Sequence, residues 1–173
     1  VAATRAFFAA RGVIEVETPY AVPAPGEEVH LRAFATERIA PDGGRVPLWL
    51  HTSPEFAMKR LLVAGAGPIF QLARVWRNGE GSALHAPEFT MLEWYRPGFS
   101  MDDLIDETHV LLRAVLPPVV TCRGVTTDIS DVERLTVADA FARFAGVSDV
   151  LATEGDAREL ADAAGVALRD GES

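Results

Sequence analysis

The chain has 173 residues, of which 49% are hydrophobic and 24% are charged, and its formal net charge is −9. This composition is typical of a globular protein with one core, and no apolar run approaches the roughly 20 residues that a membrane helix needs. The acidic balance argues against a general nucleic-acid platform, because such surfaces use Lys and Arg to neutralise phosphates. The only cysteine, Cys122, excludes an intrachain disulfide and offers no metal-site pattern, so a cytoplasmic setting is expected.

Hydrophobic periodicity and turn residues predict alternating helices and strands up to the Pro-Pro pair at 117–118. In chain order, the first predicted elements are a helix at 2–11, a strand at 13–19, and strands at 29–40 and 46–51 on either side of a PDGG turn. They are followed by a helix at 54–65, strands at 69–76 and 88–95, and a helix at 100–116. The last two strands are expected to form an antiparallel hairpin, because the loop between them is short and polar. Together these elements predict an α+β fold.

The sequence changes character after Pro117. Residues 119–134 are polar and are predicted to be irregular, Thr136 is expected to cap a short helix, and a last helix is predicted at about 154–164. The shift near Pro117 therefore divides the chain into a strand-rich part at 1–116 and a smaller helical part at 117–173.

The second strand of the predicted hairpin carries an unusual set of side chains. Because successive strand residues point to opposite sides, Phe89, Met91, Glu93 and Tyr95 share one face. An acid on a face that also holds Phe89 and Met91 must be paired, hydrated or functional, since burying an unpaired carboxylate is costly. This face and the loop that begins at Arg77 are therefore the candidate site.

The hairpin side chains have chemistry that suits a nucleotide beside an amine. Arg77 offers a planar fork of donors for a phosphate or a carboxylate, and His85 could reach a more distant phosphate. Phe89 offers a ring face for a planar base, while Glu93 and Tyr95 could hold an ammonium group by charge and by hydrogen bond. Taken singly, each residue also has a structural interpretation as a surface ion pair, a polar loop residue or a core residue. Only their combination indicates a site for a nucleoside triphosphate and an amine.

Three segments resemble motifs of one enzyme family. The pattern R-N-x-E followed by H-x-P-E-F-T-M-L-E-x-Y resembles motif 2 of the class II aminoacyl-tRNA synthetases in its lysine-specific form. Upstream, FFAARGVIEVETP resembles motif 1, which forms much of the dimer interface in that family, and TSPEFAMKRLLVAG resembles the segment that carries the amino-acid-binding carboxylate. The resemblance covers residues 1–116 and implies an antiparallel β-sheet flanked by helices, with residues 117–173 as the start of a helical insertion.

Two branches of this group are considered. Lysyl-tRNA synthetases usually have Ala-Pro-Glu where this chain has Ser53-Pro54-Glu55, whereas the elongation factor P–(R)-β-lysine ligases, their paralogues, typically have T-S-P-E, F-Q-L and PEFTMLEWYRP. This chain carries all three forms, at 52–55, 70–72 and 87–97, so it is most similar to the second branch.

This second resemblance implies an activity and its partners. Lysine or β-lysine would be activated with ATP and Mg²⁺ as an aminoacyl-adenylate and transferred to a lysine side chain of elongation factor P. A homodimer formed through residues 1–19 is expected. The alternative is a lysyl-tRNA synthetase catalytic fragment, although tRNA is not the expected acceptor and no membrane partner is expected.

The resemblance also implies a role for each matching position. Arg77, the catalytic residue, would bind the α-phosphate and the reacting carboxylate, His85 would approach the β- and γ-phosphates, and Phe89 would stack on adenine. The implied ATP site consists of Arg77, Asn78, Gly79, Glu80, His85, Ala86 and Phe89. The implied amino-acid site consists of Ser53, Pro54 and Glu55, which hold the backbone end of the substrate, and of Glu93 and Tyr95, which recognise its ammonium groups.

The chain departs from the family pattern at two positions of the ATP site. Gly79 stands where the family has Glu, and Glu80 could replace that Glu only if the loop shifts by one residue. Ala86 stands where the family usually has Asn. Motif 3 and the acid that completes the side-chain pocket have no match before Ser173. We therefore expect either a fragment or an incomplete paralogue, inactive as residues 1–173 alone, and a catalytically inactive synthetase-like binding module is a third hypothesis.

Overall fold

A computed structural model describes residues 1–148, 150 and 157–167. The helices in these residues are α1 (Ala2–Ala9), α2 (Glu55–Val63), α3 (Met101–Val115), α4 (Val137–Phe144) and α5 (Ala157–Ala164). The strands are β1 (Ile14–Glu15), β2 (Ala21–Val22), β3 (Phe34–Ile39), β4 (Arg45–Leu50), β5 (Ile69–Trp76), β6 (Glu88–Tyr95), β7 (Val119–Cys122) and β8 (Val125–Asp128). The chain divides into two compact units, Val1–Thr127 and Asp128–Ser173. No helix within the described ranges has the length and apolar character needed to cross a membrane.

The predicted hairpin of two long strands is confirmed. β5 and β6 pair antiparallel from Ile69 opposite Tyr95 to Trp76 opposite Glu88. On its other side β5 pairs in parallel with β1, which gives the strand order β1-β5-β6. β1 is only two residues long, shorter than the strand predicted at 13–19, because the chain leaves the ladder and Thr18 bonds instead through its hydroxyl to Gln71 Oε1 at 3.0 Å.

A second sheet has the strand order β2-β4-β3. β3 and β4 form a hairpin around the predicted PDGG turn, in which the Ala40 N–H donates to the Gly44 carbonyl at 2.8 Å. The strand predicted at 29–40 begins only at Phe34, because a turn closed by the Leu31 N–H and the Glu28 carbonyl at 3.2 Å precedes it. β2 lies in the Pro-rich segment between the strands predicted at 13–19 and 29–40, where no strand was expected, and it pairs with the end of β4.

Residues 119–128 correct the prediction of irregular structure after Pro117. β7 and β8 form a two-stranded hairpin, and the residues between them, Arg123 and Gly124, have φ angles of 51° and 81°. Positive φ at both central residues is characteristic of the type I′ turn, which matches the twist of paired strands. The β-branched residues on both sides of this turn favour strands, and they outweigh the polar character on which the prediction was based.

Helix boundaries follow capping residues in the sequence. At the start of α3, the Ser100 hydroxyl accepts from the Asp103 N–H at 3.2 Å, and the Asp103 carboxylate accepts from the Ser100 N–H at 2.8 Å. This reciprocal arrangement satisfies two backbone donors that the first helical turn leaves unpaired. α1 is followed by Gly12 with φ of 67°, a conformation that glycine adopts without strain.

The described part of the second unit contains the helices α4 and α5. Thr136 and Asp139 form a capping box at the start of α4, which confirms the predicted cap. α5 lies inside the helix predicted at 154–164, of which residues 154–156 fall outside the described residues.

The core of the first unit lies on one face of β5 and β6. Phe7 and Phe8 of α1 pack with Phe70 of β5, and the rings of Phe8 and Phe70 stack with centroids 4.6 Å apart. Leu92 and Trp94 of β6 pack against the same cluster. Because side chains alternate along a strand, Glu93 and Tyr95 point to the opposite face, as the sequence pattern predicts. The α+β class and the antiparallel pairing are thus in agreement with the sequence.

Candidate active site

The first part of the site is a carboxylate with two hydroxyl donors. Ser53 Oγ donates to Glu93 Oε2 at 2.8 Å, and Tyr95 Oη donates to Glu93 Oε1 at 2.5 Å. All three side chains are half-buried. Ser53 and Tyr95 belong to separate segments of the chain, so Glu93 is the group that joins them. The structure thus brings together three of the five residues predicted to bind the amino acid.

Local backbone structure holds Ser53 in place. Thr52 Oγ1 donates to the Pro25 carbonyl at 3.1 Å, and Ser53 Oγ also accepts from the Glu55 N–H at 3.1 Å. Pro54 is fully buried and precedes the first residue of α2. A proline just before a helix costs nothing in hydrogen bonds, because the first helical N–H groups have no partner within the helix.

Glu55 lies close to this cluster but has a partner of its own. Its carboxylate pairs with the Lys59 ammonium group one turn along α2. The pair is largely exposed to solvent, so it is weak and an incoming ammonium group can compete for Glu55.

Tyr95 is held in its protonated form. Burial raises the pKa of the Tyr95 hydroxyl far above its usual range, and the hydrogen bond to Glu93 and the negative charges of Glu93 and Glu55 raise it further. A protonated hydroxyl can donate, whereas a phenolate could not. The raised pKa therefore favours the protonated hydroxyl that donates to Glu93.

His51 is a buried residue of this region that the sequence analysis missed. It is only 2% exposed, and its Nε2 donates to the Arg74 carbonyl at 2.8 Å. The His51 ring packs with the rings of Tyr20 and Trp76, whose centroids lie 5.5 and 6.0 Å from its own. Burial lowers the pKa of His51, and this effect outweighs the Arg74 carbonyl and the charge of Glu93, which raise it. A neutral imidazole therefore precedes the Thr52–Glu55 segment.

The second part of the site is an open cleft beside the loop that joins β5 and β6. The cleft has a volume of about 630 Å³ and is lined by Phe34, Asn78, Gly79, Glu80, Gly81, Ser82, His85 and Pro87. This volume lies in the range of small-molecule sites. Four of the predicted ATP-binding residues therefore line one cleft, whereas Arg77, Ala86 and Phe89 are not part of its wall.

Backbone hydrogen bonds define the shape of this loop. The Arg77 N–H donates to the Pro87 carbonyl at 2.9 Å and closes the base of the loop, while the Asn78 N–H donates to the Arg32 carbonyl at 2.6 Å. Near the other end, the Ser82 hydroxyl and His85 Nδ1 are 2.9 Å apart. This contact uses only one of the two ring nitrogens of His85, and His85 also lines the cleft.

Arg77 and Phe89 form a pair at the base of the loop. The Arg77 guanidinium carbon lies 5.2 Å from the centroid of the Phe89 ring, within the range of a cation–π contact. Arg77 Nε is buried and has no hydrogen-bond partner among the described residues. A buried donor without a partner is costly, so an anionic group next to Arg77 would be stabilised. These features fit a phosphate or carboxylate ligand at Arg77.

The predicted site residues on the hairpin thus form two pairs. Arg77 and Phe89 lie at the loop end of β6, and Glu93 and Tyr95 lie at the other end of the strand. Phe89 and Glu93 are four residues apart on one face, which corresponds to roughly 13 Å along an extended strand. The arrangement suits a long ligand, or two ligands that meet, rather than one small molecule bound by all four side chains.

Comparison with known proteins identifies similar sequences. The family model for tRNA synthetases class II (D, K and N) matches residues 1–162. An elongation factor P–(R)-β-lysine ligase of Actinobacillus succinogenes is 47% identical over 158 residues, which is 91% of this chain and 46% of that protein. The ligase of the same name from Haemophilus influenzae is 43% identical over 162 residues, or 93% of this chain and 47% of that protein. The chain spans about half the length of these curated relatives.

Proposed function

The chain belongs to the class II tRNA synthetases (D, K and N), and from this membership we propose that the full-length protein is an ATP-dependent ligase for a lysine-type amino acid. It activates β-lysine or lysine as an aminoacyl-adenylate and transfers it to a lysine side chain of elongation factor P. The names of the curated relatives support this acceptor. The proposed reaction takes place in the cytoplasm. Residues 1–116 are proposed as the first part of the catalytic domain and residues 117–173 as the start of an insertion.

One observation carries the amino-acid half of the proposal. Each oxygen of Glu93 accepts one hydrogen bond, from Ser53 or from Tyr95. An ionised carboxylate has about four acceptor positions, so positions remain for a substrate ammonium group. The two hydroxyl groups hold the carboxylate in one orientation before the substrate arrives, which reduces the entropy lost on binding.

The proposed ATP site consists of the cleft beside the β5–β6 loop and of Arg77. The triphosphate lies along the loop wall, with Arg77 at the α-phosphate and His85 at the far phosphates. Mg²⁺ would be held mainly by the ATP phosphates together with one or two carboxylates, and it would neutralise phosphate charge. Glu80, on the cleft wall, is the carboxylate available to it.

The proposed reaction has two steps. The substrate carboxylate attacks the α-phosphorus, and pyrophosphate leaves. Arg77 stabilises the negative charge on the α-phosphate and the attacking carboxylate during this step. The ε-amino group of the acceptor lysine then attacks the activated carbonyl carbon, and AMP leaves. Alignment is the main requirement of both steps, and two sites along one strand provide it.

Pyrophosphate exchange tests this proposal. The full-length protein should exchange labelled pyrophosphate into ATP only when a lysine-type amino acid is added, with β-lysine preferred to α-lysine. The Arg77→Ala variant should lower the exchange rate about a hundredfold to a thousandfold, which is the usual effect of removing a donor that stabilises transition-state charge. Absence of exchange with every lysine isomer would contradict the proposal, and lysylation of tRNA in its place would favour the lysyl-tRNA synthetase alternative.

The substitutions at Gly79 and Ala86 favour a second candidate, a catalytically inactive module of the same fold that binds a partner. Gly79 has φ of 82° and provides no carboxylate to the cleft. Calorimetry separates the two candidates, because an inactive module should give no Mg²⁺-dependent heat when ATP is added to the full-length protein.

A further inference from the structure

Arg32 has no role in the site as described so far. It is exposed, and no carboxylate in the described part of the chain pairs with its guanidinium group. Its backbone, however, is joined to the cleft loop, because the Arg32 carbonyl accepts from the Asn78 N–H at 2.6 Å and the two residues form an antiparallel bridge. An arginine without an ion-pair partner among the described residues thus lies beside the loop that forms a wall of the candidate nucleotide cleft.

The side chain of Arg32 extends along the cleft loop. A Cβ atom built on Gly79 would lie 4.0 Å from Arg32 Cδ, and it would meet nothing else within 4 Å. Phe34, the first residue of β3 and two residues beyond Arg32, lines the cleft. Arg32 is not part of the cleft wall, but its side chain lies beside Gly79, which is.

The residue at position 79 leaves Arg32 available. A glutamate at this position, which the resemblance to the synthetases would lead one to expect, would place a carboxylate beside the Arg32 side chain and pair with it. Glycine leaves that space open and the guanidinium group unpaired. Glu80 supplies a carboxylate to the cleft wall, and the described residues that line the cleft include no Lys or Arg. A polyanionic ligand would therefore require a cation from a neighbouring segment.

We propose that Arg32 is a nucleotide-specificity residue of this cleft, which binds the phosphate chain of a nucleoside triphosphate. The assignment rests on the proposed function, and it adds a phosphate contact from the segment before β3 to those from the β5–β6 loop. Arginine suits this role because its planar fork bonds two phosphate oxygens at once. The contact discriminates ATP from adenosine, which has no phosphate.

Equilibrium binding to the full-length protein tests the assignment. The Arg32→Gln variant should bind Mg·ATP about fivefold to tenfold more weakly, as expected for one partly solvated charge-assisted contact. Its affinity for adenosine should stay within about twofold of the parent, and the loss for ATP should shrink as salt is raised. Arg38→Gln is the matched control, because Arg38 is also exposed but lies six residues along the chain, roughly 20 Å away.

Several outcomes would overturn the assignment. These are an unchanged ATP affinity in Arg32→Gln, an equal loss for adenosine, and an equal loss in Arg38→Gln. The first would mean that Arg32 is an ordinary surface residue, the second that it contacts the base or supports the loop, and the third that only net charge matters. If the parent protein binds no ATP, both the proposed function and this assignment are wrong. If the parent exchanges pyrophosphate into ATP but Arg32→Gln binds ATP as tightly as the parent, only the assignment of Arg32 is wrong.

Discussion

Glu93 is the residue on which amino-acid recognition depends in the proposed mechanism. The Glu93→Gln variant keeps the size of the side chain and its hydrogen bonds with Ser53 or Tyr95 but removes the charge that an ammonium group requires. We expect KM for the lysine-type substrate to rise about thirtyfold or more, since loss of one partner of a desolvated charge pair costs about 2 kcal/mol or more. KM for ATP should change little.

The matched control for this substitution is Glu88→Gln. Glu88 lies on the same strand, but it is exposed and pairs with Arg74 on the surface. Pyrophosphate exchange with varied amino acid and varied ATP measures both constants in both variants. An equal rise of the two KM values in Glu93→Gln would indicate a general distortion of the hairpin and would contradict a role in ammonium recognition.

His51 makes the stability of the fold depend on pH. Because burial lowers its pKa below the ordinary value of 6.5, below pH 6.5 the unfolded chain binds a proton that the folded chain does not. The free energy of unfolding should therefore fall as the pH drops from 6.5 toward the lowered pKa of the folded state, and this contribution is constant above 6.5.

The His51→Gln variant tests this dependence, because its amide can still donate to the Arg74 carbonyl. Urea unfolding on both sides of pH 6.5 should show a smaller acid-side loss for the variant than for the parent. Parallel pH profiles for the two proteins would show that groups other than His51 cause the loss.

At the scale of elements, the contact between α3 and β6 positions the strand that carries the site. Glu107 of α3 accepts from Trp94 Nε1 at 3.1 Å and lies 3.3 Å from Arg96 Nε. Trp94 and Arg96 flank Tyr95, so this carboxylate fixes both neighbours of a site residue. The ion pair is buried, with side-chain exposures of 12% for Arg96 and 6% for Glu107. Removing one partner of a buried pair leaves an uncompensated charge.

The Glu107→Gln variant should therefore lose about 3 kcal/mol of unfolding free energy, the usual cost of breaking a buried ion pair. Glu37→Gln, which breaks the exposed pair with Arg45, should cost less than about 1 kcal/mol. Chemical denaturation of the full-length protein measures both. A loss for Glu107→Gln no larger than that of the surface control would mean that solvent compensates the Arg96 charge.

The elements that were predicted correctly are those that residues within or next to the element determine. Alternation along 69–76 and 88–95 set the bounds of β5 and β6, and Ser100 set the start of α3. The β7–β8 hairpin was missed because the polar residues around Arg123 were weighed above the β-branched ones. The extent of β1 could not be predicted, because it depends on where the chain leaves its partner β5, and that is a tertiary property.

The same distinction applies to the candidate site. Alternation placed Glu93 and Tyr95 on one face, and motif resemblance predicted Ser53 for the same site, where its hydroxyl contacts Glu93. The buried position of His51 and the bridge between Arg32 and the cleft loop were not predicted, because the partners are remote in sequence. The Arg74 carbonyl lies 23 residues from His51, and the Asn78 N–H is far along the chain from Arg32. Contacts of this kind leave no periodic pattern in one sequence.

At the scale of the whole molecule, the first sheet presents an edge that suits self-association. β1 is the edge strand of the order β1-β5-β6 among the described strands, so one side of its backbone is unpaired there. Ile14 on this strand is 55% exposed. An exposed apolar side chain on an edge strand favours pairing with another chain. From these features we propose the homodimer through residues 1–19 that the resemblance to the synthetases implies.

The Ile14→Asp variant of the full-length protein should shift this dimer toward monomer, because an acid buried in an apolar interface is costly to desolvate. Sedimentation velocity at several protein concentrations measures the shift. Val63→Asp introduces the same charge at an apolar residue of α2 that is 91% exposed, and it should leave association unchanged. A parent protein that sediments as a monomer would contradict the dimer. An Ile14→Asp variant that dimerises as tightly as the parent would show that the interface lies elsewhere, because a close contact between two β1 strands could not tolerate a carboxylate at Ile14.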